Sequence, residues 1–183
     1  MDLIVNARNF ARKAHNGQVR KISSEPYFSH VEYVAKTLED AGFSNIVVAA
    51  GYLHDVIEDT EVTVDELKRL FGKEVLQFVL DNTEDKDLIW EKRKQETIDK
   101  TRMLSIESKA LIAADKLDNS KDLLLYSQAY GGKLWTYFNR GYEKQLWYYK
   151  ELVHSIFYGV PKHQVPAYFY TLKQNVDELF GPY

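Results

Sequence analysis

The sequence predicts an all-α fold of about eight to ten helices, on three observations. Apolar residues recur at helical spacing along most of the chain, glycines and capping residues punctuate it where those stripes end, and no segment alternates convincingly as a strand would. Leu3, Ala7, Phe10, Ala11 and Ala14 share one face of a first helix that stops at His15-Asn16-Gly17, where glycine suits the position just past a helix end. A polar loop over residues 18–25 leads through Pro26 into a second helix over 27–41, with Val31, Val34, Ala35 and Leu38 inward and Gly42 as its stop. Ser44 is placed to cap a third helix running to His54, apolar nearly all round and therefore central and buried. Thr63-Val64-Asp65-Glu66 has the form of a capping box opening a short helix to Phe71; Gly72 ends it, and another follows over 73–82. Residues 90–103 form a strongly charged, exposed helix. Ser105 or Ser108 opens a segment whose run Ala110-Leu111-Ile112-Ala113-Ala114 is buried and continues past Asp115 toward Tyr126, until Gly131-Gly132 breaks it. Residues 134–158 and 165–180 complete the set as amphipathic helices separated by Gly159-Val160-Pro161.

The chain has 183 residues, 45% apolar and 28% charged, which suits one folded domain and excludes a disordered or collagen-like chain. A net charge of -3 gives no basic footprint, so no nucleic-acid partner is expected. No cysteine is present, which removes disulfides, thiol nucleophiles, Cys-ligated zinc and iron–sulfur clusters. Any bound metal must use His, Asp or Glu. The N-terminus lacks a basic stretch followed by an apolar core, and no run of about 18 apolar residues occurs, so a cytoplasmic protein without a membrane partner is expected.

Chemistry concentrates where the most apolar helix ends. His54-Asp55 is followed four residues on by Glu58-Asp59, so a continuing helix would stack the two pairs on one face. A carboxylate beside an imidazole at a core helix end is costly unless a charge pairs with it; a divalent cation satisfies both, whereas the plain alternative is a solvated helix terminus. Asp115, directly after an apolar run, also calls for a charged partner, either a metal or the neighbouring Lys116 or Lys121. His30, just after Pro26-Tyr27-Phe28-Ser29, is a further candidate, although one such histidine is commonly a satisfied core residue. His30, His54, Asp55 and Asp115 together make a nitrogen and oxygen set without sulfur, suited to a six-coordinate Mn²⁺-type ion more than to zinc.

The ordered blocks AHNGQVRK (14–21), PYFSHVEYVA (26–35), AAGYLHDVIEDT (49–60), LFGKEV (70–75) and ALIAADKLDN (110–119) resemble those of the HD-domain phosphohydrolases. Within that family they are similar to the hydrolase domain of the RelA/SpoT group and to small alarmone hydrolases. The likeness covers residues 1–125, leaving 126–183 as a helical extension of the same domain. It implies a small-molecule nucleotide partner and removal of the 3′-pyrophosphate of guanosine tetra- or pentaphosphate, giving GDP or GTP and pyrophosphate, with one Mn²⁺. It further implies that His30, His54, Asp55 and Asp115 bind the metal, Glu58 and Asp59 position and activate water, Arg20 and Lys21 meet the nucleotide, and Asn119 contacts substrate. A metal that acidifies water, a carboxylate that takes its proton and cations that neutralise phosphoryl charge form a coherent set.

The sequence departs from the family in two places. The Arg20-Lys21 pair continues as Ile22-Ser23-Ser24-Glu25, and the block after Asp115 reads Lys116-Leu117-Asp118-Asn119 with Asp122 beyond, adding acid where a polyphosphate would be repelled. His15, His154 and His163 are read as structural, His15 bonding local backbone or favouring the helix dipole. The aromatic stretches 135–141 and 145–149 read as core, with Leu134, Phe138, Leu146 and Tyr149 on one face; a base-stacking role with Arg140 on phosphate is the alternative. An HD phosphohydrolase acting on another nucleotide, such as the 2′-phosphate of NADPH, or a nucleotide-binding regulator without turnover, are the competing functions. A homo-oligomer is possible but not predicted.

Overall fold

The computed structural model describes residues 2–182; Met1, part of the N-terminal reading above, and Tyr183 lie outside them. Among the described residues there are nine α-helices and no strand; the nearest approach to a strand is an isolated bridge between Val19 and Pro26. No helix is long and apolar enough to cross a membrane. The chain forms two compact units, one ending at Asp85 and one beginning at Lys86.

In the first unit, α1 (Leu3–Ala14) begins where the Asp2 carboxylate accepts the Ile4 N–H, and it buries Ala7 and Ala11. α2 (Phe28–Asp40) buries Val31, Val34, Ala35 and Leu38, the four inward residues expected. Between them the chain folds back in a tight loop: Tyr27 N–H donates to Gln18 O and Arg20 N–H donates to Glu25 O. α3 (Asn45–Leu53) is buried along seven of its nine residues, from Val47 to Leu53, as its apolar run requires. Ser44 stands at its N-cap position but makes no side-chain capping bond. Gly51 allows α3 to lie hard against α2, because a Cβ there would come within 2.9 Å of the Ala35 Cα and 2.8 Å of Leu38.

α3 ends with His54 as its C-cap, as expected, and does not continue through Asp59. The backbone leaves the helix at Asp55 (φ -102°, ψ -2°) and resumes as one turn, α4 (Val56–Asp59), so the pairs His54-Asp55 and Glu58-Asp59 do not sit on one uninterrupted face. The connection to α5 (Val64–Asn82) is capped as its sequence specifies, with Thr63 Oγ1 accepting the Glu66 N–H at 3.2 Å. Gly72 interrupts α5 at φ 85°, which divides it into the two helices expected.

In the second unit, α6 (Trp90–Met103) has the expected bounds, and Ser105 rather than Ser108 caps α7 (Ile106–Tyr130) by accepting the Ser108 N–H. α7 buries twelve residues, including the whole run Ala110 to Asp115, and packs along α9 (Ala167–Phe180). Residues 131–137 make a 3-10 turn, and α8 (Gly141–Phe157) starts seven residues later than the apolar stripe suggests. The chain is extended at Phe138 (φ -108°, ψ 131°) and left-handed at Gly141 (φ 63°), so it is re-aimed before the α-helix begins. α9 likewise starts at Ala167, after Pro166. The aromatic third is only partly core: Tyr148 and Tyr149 are buried, Trp135, Tyr142 and Trp147 half-buried and Tyr137 exposed, while the rings of Trp135, Tyr142 and Tyr149 gather around Phe180 at 5.2, 5.5 and 5.8 Å. Phe138 and Leu146 are only half-buried, while Tyr148 is buried in addition to Leu134 and Tyr149.

Candidate active site

Within the first unit the end of α3 meets the start of α2, and four side chains converge there. His54, fully buried, points its Nδ1 at the Gly51 carbonyl, 2.9 Å away. A carbonyl can only accept, so Nδ1 carries the proton and Nε2 of the neutral ring presents a lone pair. That lone pair lies 2.9 Å from Asp55 Oδ2, itself an acceptor. Two acceptors at this distance repel unless positive charge lies between them, supplied by an extra proton or a metal ion. His30 brings a second imidazole: its Nε2 is 3.7 Å from the same carboxylate oxygen, and its ring centroid is 5.2 Å from that of His54. Both histidines and Asp55 are buried. A hard-to-intermediate divalent ion fits this donor set, because one ion satisfies two imidazole lone pairs and a carboxylate that no single proton could serve together.

The fold makes this arrangement for local reasons. His30 occupies the first turn of α2, its N–H donating to Tyr27 O, and Gly51 sets α3 close enough for His54, one turn further on, to reach it. Tyr27 completes the cluster, its hydroxyl donating to Asp55 Oδ2 at 2.6 Å. The sequence reading did not single out Tyr27, whose position three residues before His30 is the one signal that places both near the same helix end. Gln18 was also missed. It joins His15 Nδ1 at 2.7 Å to the Asp59 carbonyl at 2.6 Å, fastening the loop to α4. His15 is structural as expected, but its partner is this side chain rather than backbone.

Glu58 is half-buried on α4, and its Oε2 accepts the Glu84 N–H at 3.3 Å. Burial pushes its carboxyl above the usual glutamate range, with the charge of Asp55 adding to the effect, so Glu58 holds a proton more readily than a surface glutamate. Asp59 is exposed, its N–H donating to Asp55 O at 2.8 Å. Arg20 and Lys21 lie on the loop between α1 and α2, Lys21 exposed and Arg20 half-buried.

In the second unit Asp115 is 4% exposed on α7. Lys116 Nζ lies 2.7 Å from its Oδ2, realising the lysine partner considered from sequence, and Asn119 Nδ2 donates to its Oδ1 at 2.6 Å. Asn119 thus braces Asp115 one turn away on the same helix. Asp118 is buried beside them. Arg140 forms an exposed ion pair with Glu91 at 3.0 Å, a structural use of a side chain considered above for phosphate.

This chain belongs to the HD-domain family: the profile of that domain matches residues 7–127, which take in every site residue named from the sequence. It is accordingly a hydrolase of the metal-dependent HD type. Among curated relatives, the mouse and human guanosine-3′,5′-bis(diphosphate) 3′-pyrophosphohydrolases MESH1 are each 38% identical over 123 residues, spanning 66% of this chain and 69% of theirs. Among solved structures, lmo0812 of Listeria monocytogenes is 40% identical at a TM-score of 0.80, covering 84% of this chain and 99% of that one. A metazoan SpoT orthologue that hydrolyses ppGpp is 27% identical at 0.76, covering 98% of this chain and 94% of its own.

Proposed function

We infer that this protein hydrolyses guanosine tetra- and pentaphosphate at the 3′ position, adding water across the bond between the 3′-oxygen and its pyrophosphoryl group to release GDP or GTP and pyrophosphate. The observation that carries the reading is the facing pair His54 Nε2 and Asp55 Oδ2, two acceptors 2.9 Å apart in a buried site, within a chain similar to enzymes named for this reaction. His30, His54 and Asp55, with Asp115 as the fourth protein ligand, would hold one divalent ion, read as Mn²⁺ from a nitrogen and oxygen set that contains carboxylates and no sulfur. Bound there, the ion supplies Lewis-acid stabilisation of phosphoryl charge and acidifies water.

The chain's own residues do the rest. Tyr27 holds the Asp55 carboxylate in place by its short hydrogen bond, and Gly51 O fixes the tautomer of His54. Glu58, whose proton affinity burial raises above that of an ordinary glutamate, takes the proton of the attacking water, and Asp59 beside it orients that water. Arg20 and Lys21 bring cations to the substrate phosphates, and Asn119 orients Asp115 while offering an amide to the nucleotide. The HD profile, residues 7–127, runs across the boundary after Asp85, which supports one functional domain across that boundary. The protein acts in the cytoplasm on a free nucleotide, not on nucleic acid.

The test is turnover by Mn²⁺-loaded protein on guanosine tetraphosphate, NADPH and common nucleotides, with pyrophosphate and orthophosphate measured separately. Stoichiometric pyrophosphate from the tetraphosphate, lost on chelation and reduced about 10²-fold or more in Asp59→Ala at unchanged metal content, is the expected result. Orthophosphate from NADPH with no pyrophosphate from the tetraphosphate would overturn the substrate, and full activity in Asp59→Ala would remove that residue from the chemistry.

A further inference from the structure

We propose that α8 and α9 enclose a second, non-catalytic binding site for a small amphipathic monoanion, a flat apolar body carrying one negatively charged group. A cavity of about 410 Å³ lies between these helices, within the range of small-molecule sites. Val153 and Val176, 6% and 1% exposed, form its floor. Phe157 and Tyr170, with ring centroids 5.4 Å apart, make one wall, and Tyr158 and Tyr170 are exposed at the mouth. Aromatic walls over an aliphatic floor favour a planar apolar ligand, and large exposed tyrosines at a concave site are an unusual use of surface.

The charge at the rim selects the ligand's sign and valence. Asp177 lies between two ammonium groups, Lys150 Nζ at 2.8 Å from Oδ1 and Lys173 Nζ against Oδ2, so the three groups sum to one positive charge. His154 adds an imidazole and no negative charge. Lys173 is 46% exposed and carries three donors, of which Asp177 takes one, so it is the group that meets an incoming anion. One net positive charge matches a carboxylate or sulfonate. It disfavours a cation and is too little for a polyphosphate, which separates this site from the hydrolytic one. All nine lining residues follow residue 127, where the HD profile ends. The inference stands whether or not the hydrolase reading holds.

The probe is 8-anilinonaphthalene-1-sulfonate, titrated into the full chain by fluorescence, with N-phenyl-1-naphthylamine as the same body without its charge. One saturable site for the sulfonate is expected. Lys173→Gln should weaken it about tenfold, the scale of one charge-assisted hydrogen bond, while leaving the neutral dye within about twofold. Tyr170→Ala should weaken both. Absence of a saturable site, or affinities for the sulfonate indifferent to Lys173→Gln, would overturn the proposal, as would dye binding that appears or vanishes with dimer formation in sedimentation, since the cavity would then seat a second copy. Lys173 and Tyr170 are both exposed, so either variant should fold, which matching thermal melts would verify.

Discussion

The two compact units treat buried polar groups in opposite ways. At the end of α3, buried His30, His54 and Asp55 are drawn together until two acceptors face one another across 2.9 Å, and burial, with the charge of Asp55 added, raises the proton affinity of Glu58. In the second unit several buried or half-buried polar groups have a local answer: Lys109 Nζ donates to the Arg102 and Tyr158 carbonyls, Tyr168 donates to Ala110 O, and Asn175 donates to Ser120. Burial pushes the Lys109 ammonium down and the Tyr168 hydroxyl up, but both keep neutral carbonyl partners and no opposing charge gathers. The first arrangement sets two acceptors face to face, where an added cation is stabilising; the second pairs donors with neutral carbonyl and hydroxyl acceptors. Unresolved electrostatics marks a place for chemistry, whereas dispersed satisfaction marks a scaffold.

The strongest way to break that contrast is to remove its most charged member. Asp55→Ala should lower kcat/KM by about 10³-fold or more, the several kcal/mol that a metal contributes, with bound metal lost and the far-ultraviolet circular dichroism unchanged. Wild-type metal content in that variant would mean Asp55 is not a ligand. The matching change in the scaffold is Phe169→Ala, a fully buried ring on α9. It should cost about 3–5 kcal/mol in denaturant unfolding yet leave kcat/KM of the folded fraction within about twofold. If Phe169→Ala instead removed activity at full stability, the second unit would not be a scaffold in this sense.

How much of this was legible in the sequence follows the same division. Helix starts at Thr63 and Ser105 and the stops at Gly17 and Gly42 were readable because a cap or left-handed turn depends on a few adjacent residues. His30, His54, Asp55 and Asp115 could be singled out because polar groups in apolar runs are conspicuous, and the family blocks tied them together. The end of the third helix at His54 was readable, but the separate turn that carries Glu58 and Asp59 was not, since helical spacing continues through Asp55. Nor was the hydroxyl bond from Tyr27, which joins residues 28 positions apart. The start of α8 was misplaced because the apolar stripe from Leu134 carries on through Gly141, and only the backbone shows that the helix does not. The cavity between α8 and α9 depends on what two helices leave unfilled, and no local pattern records a void.

Tyr27 allows a finer test, because its hydroxyl contributes to the site without being an expected ligand. Tyr27→Phe keeps the ring against His15 and His30, at 5.1 and 5.4 Å, and deletes only the bond to Asp55. Activity should fall about 10- to 100-fold, as for other groups that orient a metal ligand, and metal affinity should fall with it. Stability should change by no more than about 1.5 kcal/mol. A loss of stability without loss of metal affinity would make Tyr27 a packing residue and shrink the cluster to three.

The smallest effect lies at the rim of the second unit. The ammonium of Lys150, and then that of Lys173, hold the Asp177 carboxyl below the usual aspartate range. The unfolded chain therefore takes up the proton first as pH falls, so the stability Asp177 contributes is present above its ordinary value near 3.9 and is lost as pH drops through the lower folded-state value. Because the pair is partly solvated, that contribution should be about 0.5–1 kcal/mol. It should appear as a steeper loss of stability below about pH 4 in the wild type than in Asp177→Asn. Equal slopes would show that the lysines are held by other partners. In that case the single positive charge assigned to the rim would need revision, while the contrast with the crowded acids of α3 and α4 would stand.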